Sequence, residues 1–192
     1  MTATTEDDIL RSARTLLVDG GYNGFSYADV AASVGIRKAS IHYYFPTKVD
    51  LVSRLVARYR EEAAAGFAEL TRAHPDPLDQ LKAYVGFWSA CIADGTNPFC
   101  LCALLATQMP VLPEAVVAEV RTYFEVLSTW VRAVLDDGRA RGDFIVADSV
   151  DVEAERFMAA VHGAMLSARA SGNPKVFALV TEPLLAGLTA RR

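Results

Sequence analysis

Apolar residues recur every three to four positions along nearly the whole chain, and no run alternates with the two-residue rhythm of a half-buried strand. The pattern predicts an all-α protein of about nine helices. The first should start at Thr4 or Thr5, with Glu6, Asp7 and Asp8 in its first turn, where the positive end of the helix dipole favours acids. Ile9, Ala13, Leu16 and Leu17 form its apolar face, and Gly20-Gly21 stops it. Ser26 caps the second helix with Asp29 three residues on, a capping-box spacing; Val30, Ala31 and Val34 face inward. Gly35 should end that helix at a positive φ, with Ile36 filling the turn. A third helix runs from about Arg37 to Tyr44 and is closed by Pro46, which pushes its predecessor out of the helical region.

A fourth helix is predicted over Lys48–Ala73, about 39 Å long at the usual rise per residue. His74–Pro77 ("HPDP") breaks it. Further helices are expected near residues 78–94, 98–109, 114–141, 150–171 and 174–189, separated by Gly95, "MPVLP", Gly142 and "SGNP", with Pro183 kinking the last. The chain thus divides into a compact three-helix unit, residues 1–46, and a larger helical bundle, residues 47–192.

Length and composition fit this picture. The 192 residues are 52% hydrophobic and 22% charged, enough for a buried core. The acidic N-terminus lacks the basic region of a signal peptide and no apolar run reaches 18 residues, so the expectation is a soluble, cytoplasmic protein without a membrane partner. Three cysteines, Cys91, Cys100 and Cys102, do not suggest a disulfide framework.

Short helix, glycine turn, short helix is the helix-turn-helix pattern. With Ile41 at the centre of the buried face, a 100° step per residue brings Tyr44 and Phe45 into the core. Ala39 and Tyr43 then point away, Ser40 and His42 lie on the flanks, and Arg37 and Lys38 sit in the first turn. Bases for phosphates, hydroxyl and imidazole for base edges, and a small residue for close approach suit a DNA groove. Net charge changes the picture only locally. The whole chain carries −4, which excludes a protein that coats nucleic acid over its whole surface, but Arg37–Arg60 holds six bases against Asp50, a net +5, leaving −9 for the rest. Ser26 and Tyr27, at the start of the second helix, join Arg37, Lys38, Ala39, Ser40, His42, Tyr43 and Lys48 as candidate DNA contacts.

The stretch Phe25–Val52, "FSYADVAASVGIRKASIHYYFPTKVDLV", resembles the DNA-binding signature of the TetR/AcrR family of transcriptional regulators. The matching features are Ala31-Ala32, Val34-Gly35-Ile36, Ser40-Ile41, the Tyr43-Tyr44-Phe45 triplet and Lys48. The resemblance covers about the first quarter of the chain. It implies a homodimer on a pseudo-palindromic double-stranded DNA operator, usually a repressor released by a small-molecule effector. Lys38, Ser40, Tyr43 and Lys48 match positions that commonly touch DNA in the family. Ala39 stands where glycine is frequent and His42 where tyrosine is, which leaves the operator sequence open. Lys48, at the start of the fourth helix, is expected to meet a phosphate through its charge and the helix N-terminus.

The C-terminal part is less diagnostic. The fourth helix joins the two parts, so its tilt could move the third. Phe87, Trp88, Cys91, Cys100, Leu104, Met109, Phe124, Leu127, Trp130 and Met158 are candidates to line an effector cavity, with ordinary bundle core as the competing reading of each. Small residues in Phe157–Ala170 and Val176–Leu188 permit close helix approach, as a two-fold dimer interface or internal packing would need. Asn97 and Pro98 predict a helix start that puts Cys100 at the third helical position, where free N–H groups would lower a thiol pKa. Cys102, about 200° further round, cannot clamp a metal with it. The block resembles a subset of TetR-like regulators with a cysteine here, some of which sense electrophiles or oxidants. Cys100 is then either such a sensor or a small buried hydrophobe.

Other classes find little support. His42, His74 and His162 are scattered, and there is no His-x-x-x-His pair, phosphate loop or nucleophile elbow, so no catalytic residue, metal or cofactor is expected. A helical dimeric binding protein or enzyme without a DNA role is the alternative, and it leaves the polar face of the third helix unexplained.

Overall fold

The computed structural model describes residues 5–95, 98–146 and 148–189. Among them are nine α-helices and no strand: α1 (Thr5–Gly20), α2 (Tyr27–Val34), α3 (Lys38–Tyr44), α4 (Lys48–Ala73), α5 (Pro77–Asp94), α6 (Leu101–Ala106), α7 (Glu114–Arg141), α8 (Val150–Ser171) and α9 (Lys175–Thr189). Two 3-10 turns, Tyr22–Gly24 and Met109–Val111, complete the elements. The expected caps at Thr4 and Asn97 lie outside the described residues.

Capping chemistry accounts for most of the boundaries. At α2, Ser26 and Asp29 form the expected capping box: Ser26 Oγ accepts from Ala28 N at 3.2 Å, and Asp29 Oδ2 accepts from Ser26 N at 2.7 Å. Gly35 closes α2 at φ 75°. A second reciprocal cap opens α4, where Asp50 Oδ2 accepts from Thr47 N at 2.9 Å and Thr47 Oγ1 accepts from Asp50 N at 3.2 Å. Asp76 caps α5 and Ser149 caps α8 by one-way bonds, their side chains accepting from backbone N–H groups of the first turn. These bonds satisfy N–H groups that a helix start otherwise leaves without partners.

One boundary departs from expectation. The sixth helix begins at Leu101 instead of Pro98, so Cys100 precedes the helix and does not occupy its third position. Phe99, Cys100, Leu101 and Cys102 are all buried, and four successive buried residues do not fit one face of a helix. The chain takes the first two as an irregular lead-in.

The helices build two compact units that are discontinuous in sequence. The first comprises the described residues up to Glu62 together with Leu101–Phe124; the second comprises Ala63–Cys100 and the chain from Glu125 onward. In the first unit α1 packs on α2 and on α6, and α2 packs on α3, around Ile9, Ala13, Leu17, Val30, Ile41, Leu51 and Val52. Tyr59 and Tyr123 add a ring pair with centroids 5.3 Å apart. In the second unit α9 packs on α8 and α5. Its centre is aromatic: Phe67 and Trp130 stack at 4.8 Å, and Tyr84 lies 5.4 Å from Trp130 and 6.2 Å from Phe157. Trp130 Nε1 donates to Thr71 Oγ1 at 3.2 Å, which satisfies the indole.

A single glutamine ties the α6 end to the start of the first unit. Gln108 Oε1 accepts from Tyr22 N at 2.8 Å, and its amide lies so close to Gly21 that a Cβ there would fall 2.2 Å from Nε2. Gly21 holds φ 75° and ψ −177°, a conformation open essentially to glycine alone. Gly21→Ala therefore both strains the backbone and evicts the Gln108 amide, and should cost about 2–3 kcal/mol in urea unfolding. Gln108→Ala removes only the hydrogen bond and should cost about 1 kcal/mol. Equal losses in the two variants would show that the backbone at Gly21 carries no strain.

Candidate nucleic-acid interface

The third helix has only seven residues, too few to persist alone in water, so its neighbours must hold it. Ile41 is fully buried and Phe45 nearly so. The buried Tyr27 ring lies beneath, and its hydroxyl donates to the Phe45 carbonyl at 2.8 Å. Burial, with smaller contributions from Asp50 and Tyr22, pushes that phenol up to about 12. Tyr27, expected to be a DNA contact, is thus placed as the support of α3.

On the outer side the helix presents what the wheel predicts. Arg37, Lys38, Ala39, His42 and Tyr43 are exposed and Ser40 is half-buried. Tyr43 is 83% exposed, more than any other large hydrophobic side chain among the described residues. Tyr44 is a correction: expected in the core, it is 39% exposed, its ring edge-on to Tyr43 at 5.3 Å. Phe45 and Ile41 already fill the inner side, so the two tyrosines form an outward pair. Ser26 is exposed at the α2 cap with its hydroxyl held by Asp29 at 2.7 Å. Those bonds hold the Asp29 carboxyl below its ordinary range.

Lys48 is placed differently from expectation. Its ammonium turns inward, donates to the Phe25 carbonyl, and lies 4.1 Å from the Phe25 ring centroid and 5.0 Å from that of Tyr22. Burial lowers its pKa, with Asp29 opposing. It fastens the start of α4 to the loop before α2. Tyr22 and Phe25, which form this cradle, were not singled out from the sequence; aromatic residues flanking a predicted N-cap are the signal that could have found them.

The local positive charge is also smaller than the count of +5. Arg54 pairs with Glu6 at 3.7 Å and Glu61 at 3.4 Å, Arg58 with Asp7 and with Glu62 at 3.0 Å, and Arg60 with Glu119 at 3.5 Å. The acids of the first turn of α1 and of mid-α4, with Glu119 on α7, thus neutralise these α4 arginines. Arg37 and Lys38 remain exposed, with no carboxylate partner among the described residues, at the end of α3 opposite the tyrosine pair.

The effector candidates do not gather as one set. Trp88, Cys91, Cys100, Leu127, Trp130 and Met158 are buried in the second unit, whereas Phe87 on α5 is 55% exposed. Leu104, Met109 and Phe124 are half-buried and belong to the first unit. A cavity of about 130 Å³ in the first unit is lined by Leu10, Arg14, Arg58, Tyr59 and their neighbours, none of them among the ten candidates.

A capped helix, a left-handed glycine turn and a short helix with exposed bases and tyrosines define a helix-turn-helix DNA-binding protein. The comparisons agree. Residues 9–55 match the family described as bacterial regulatory proteins, tetR family. The crystal structure of a TetR-family transcriptional regulator from Agrobacterium tumefaciens is 57% identical, with TM-score 0.94, covering 96% of this chain and 97% of that one. A TetR transcriptional regulator from Legionella pneumophila, 24% identical with TM-score 0.88 over 98% of this chain and 100% of its own, shares the fold. The biofilm operon icaADBC HTH-type negative transcriptional regulator IcaR of Staphylococcus aureus (strain Newman) is 39% identical over 51 residues, which span 27% of this chain and 27% of that regulator. The chain belongs to the TetR family of bacterial regulatory proteins.

Replacing Tyr27 with Phe leaves the Phe45 carbonyl without its donor and should lower stability by about 1–2 kcal/mol at pH 7. A tyrosine whose folded pKa is raised stabilises below the unfolded value near 10 and loses that contribution as pH rises through the folded value near 12. Wild-type unfolding free energy should therefore fall between pH 10 and 12 more steeply than that of Tyr27→Phe. Parallel curves would refute the assignment.

Proposed function

We propose that the chain is a transcriptional repressor that binds a two-fold operator as a homodimer and is released by a small molecule held in the second unit. The observation that carries the DNA reading is the exposure on one short helix of a tyrosine pair at its C-terminal end and of Arg37 and Lys38 at its start. Burying two aromatic rings against a groove recovers apolar area that water now covers, and the two bases supply phosphate contacts. Arg37, Lys38, Ala39, Ser40, His42 and Tyr43 form the contact face. Ser26 adds to it from the α2 start, and Tyr27 and Lys48 act by holding the helices. Repression is supported by the likeness to IcaR, a negative transcriptional regulator.

Dimerisation is supported by one stripe on α8 and a second on α9. Val152, Ala159, Gly163, Leu166 and Ala170 are exposed along α8, and on α9 Leu179 is 71% and Val180 38% exposed. Small residues between large apolar ones let two helices of a partner approach closely, and one self-complementary patch is what a two-fold interface requires. An effector among the aromatic residues of the second unit would act by biasing the tilt of α4, which contributes to both units. Cys100 has no exposed surface, so an electrophile reaches it only when its lead-in segment opens. Mass spectrometry after brief N-ethylmaleimide treatment of the native protein should find Cys100 unmodified. Rapid selective labelling of Cys100 would favour the sensor-thiol reading instead.

Gel shift with the DNA upstream of the protein's own gene tests the reading. Wild type should bind one fragment specifically, and Lys38→Ala should reduce the slope of log affinity against log salt by about 1. Leu179→Arg should sediment as a monomer and lose most operator affinity, since each half-site is then bound alone. Absence of specific binding to any neighbouring intergenic DNA would sink the repressor reading.

A further inference from the structure

His42 is exposed on α3, yet one side of its ring is engaged. Its Nδ1 lies 3.2 Å from the Pro46 carbonyl oxygen, and its ring stands 4.7 Å from that of Tyr27 at an interplanar angle of 59°. A carbonyl oxygen has no proton to give, so Nδ1 is the donor in this bond. A neutral imidazole carries one N–H. The proton is therefore on Nδ1, and Nε2 is left as a lone-pair acceptor with no partner among the described residues. The Tyr27 ring beneath is itself pinned to Phe45, so the imidazole orientation is fixed before any DNA arrives.

We propose that His42 is a specificity-determining residue that reads the operator through this fixed tautomer, Nε2 accepting from the exocyclic amine of an adenine or cytosine and disfavouring guanine or thymine at one position of each half-site. The proposal rests on α3 being the recognition helix. In the major groove adenine offers its N6 amine and cytosine its N4 amine, whereas guanine and thymine present carbonyl oxygens at the corresponding place. A lone acceptor bonds the first pair and meets lone-pair repulsion from the second. Every base pair carries one such amine, on one strand or the other. His42 therefore does not tell A·T from G·C; it chooses which strand bears the amine. The expected signature is a position degenerate between A and C. The nearest exposed charge on the same helix, Lys38 one turn earlier, has only donors and cannot substitute for this contact.

Selection from randomised duplex DNA at pH 8 tests this with the full-length protein. Wild type should enrich A or C over G or T about fivefold at one position per half-site, the worth of a single net hydrogen bond. His42→Ala should flatten that position while keeping the rest of the motif. His42→Lys, which can only donate, should invert it to G or T. Long-range 1H–15N spectra of the free wild-type protein at the same pH should show the proton on Nδ1. A motif unchanged in both variants, or a predominant Nε2–H tautomer, overturns the role of His42 and leaves DNA binding standing. No enriched sequence for wild type overturns the recognition-helix reading and this inference with it.

Discussion

The hydrogen bond from the Tyr27 hydroxyl to the Phe45 carbonyl is the constraint on which the DNA-facing surface depends. A helix of seven residues has too few internal bonds to fix its own axis. Tyr27 reaches across from α2 to cap the far end of α3, while Ile41 supplies the apolar anchor. Once that end is fixed, the face from which Tyr43, Tyr44 and His42 project is fixed with it. Lys48 applies the same logic to the next element: its inward ammonium fastens the start of α4 to the Phe25 carbonyl. A sheltered lysine is costly unless its charge meets a dipole, and here a carbonyl and two ring faces provide it.

Electrostatics in the first unit serve assembly as much as recognition. Arg54, Arg58 and Arg60 are committed to Glu6, Glu61, Asp7, Glu62 and Glu119. Exposed pairs of this kind contribute little singly. Their joint effect is to hold the first turn of α1 on α4 and to leave Arg37 and Lys38 as the exposed bases of this segment without a carboxylate partner among the described residues. An acidic chain can then approach DNA with one defined edge.

Much of this was legible in the amino-acid order because it is local. Ser26 and Asp29, Gly35, Pro46 and the break at His74–Pro77 each act within four residues, and the helices they bound fall where expected. Thr47 and Asp50 carry the same capping signature and could have been read the same way. The misplacements are all non-local. Tyr44 shares a helical face with Ile41, but Phe45 takes the inner space. Lys48 looks like a free surface base until Tyr22 and Phe25 are brought beside it. Cys100 looks like the third residue of a helix until the burial of Phe99 delays the helix start. The effector candidates were chosen by size and apolarity, which mark core and cavity alike, so their split between two units left no trace in composition.

The bond between Gln108 and the Tyr22 amide spans 86 positions of sequence, and this has a consequence for synthesis. Domains fold as they leave the ribosome, N-terminal elements first. Here the first unit lacks the acceptor for Tyr22 N, and the α6 surface against α1, until the chain has grown well past residue 108. A nascent fragment ending near Glu62 holds the whole helix-turn-helix but not the structure that completes it. The helix-turn-helix precedes α6 in the chain, yet the unit that holds it is finished only once Leu101–Phe124 exists, so a chain terminated before that segment does not carry a completed copy of it.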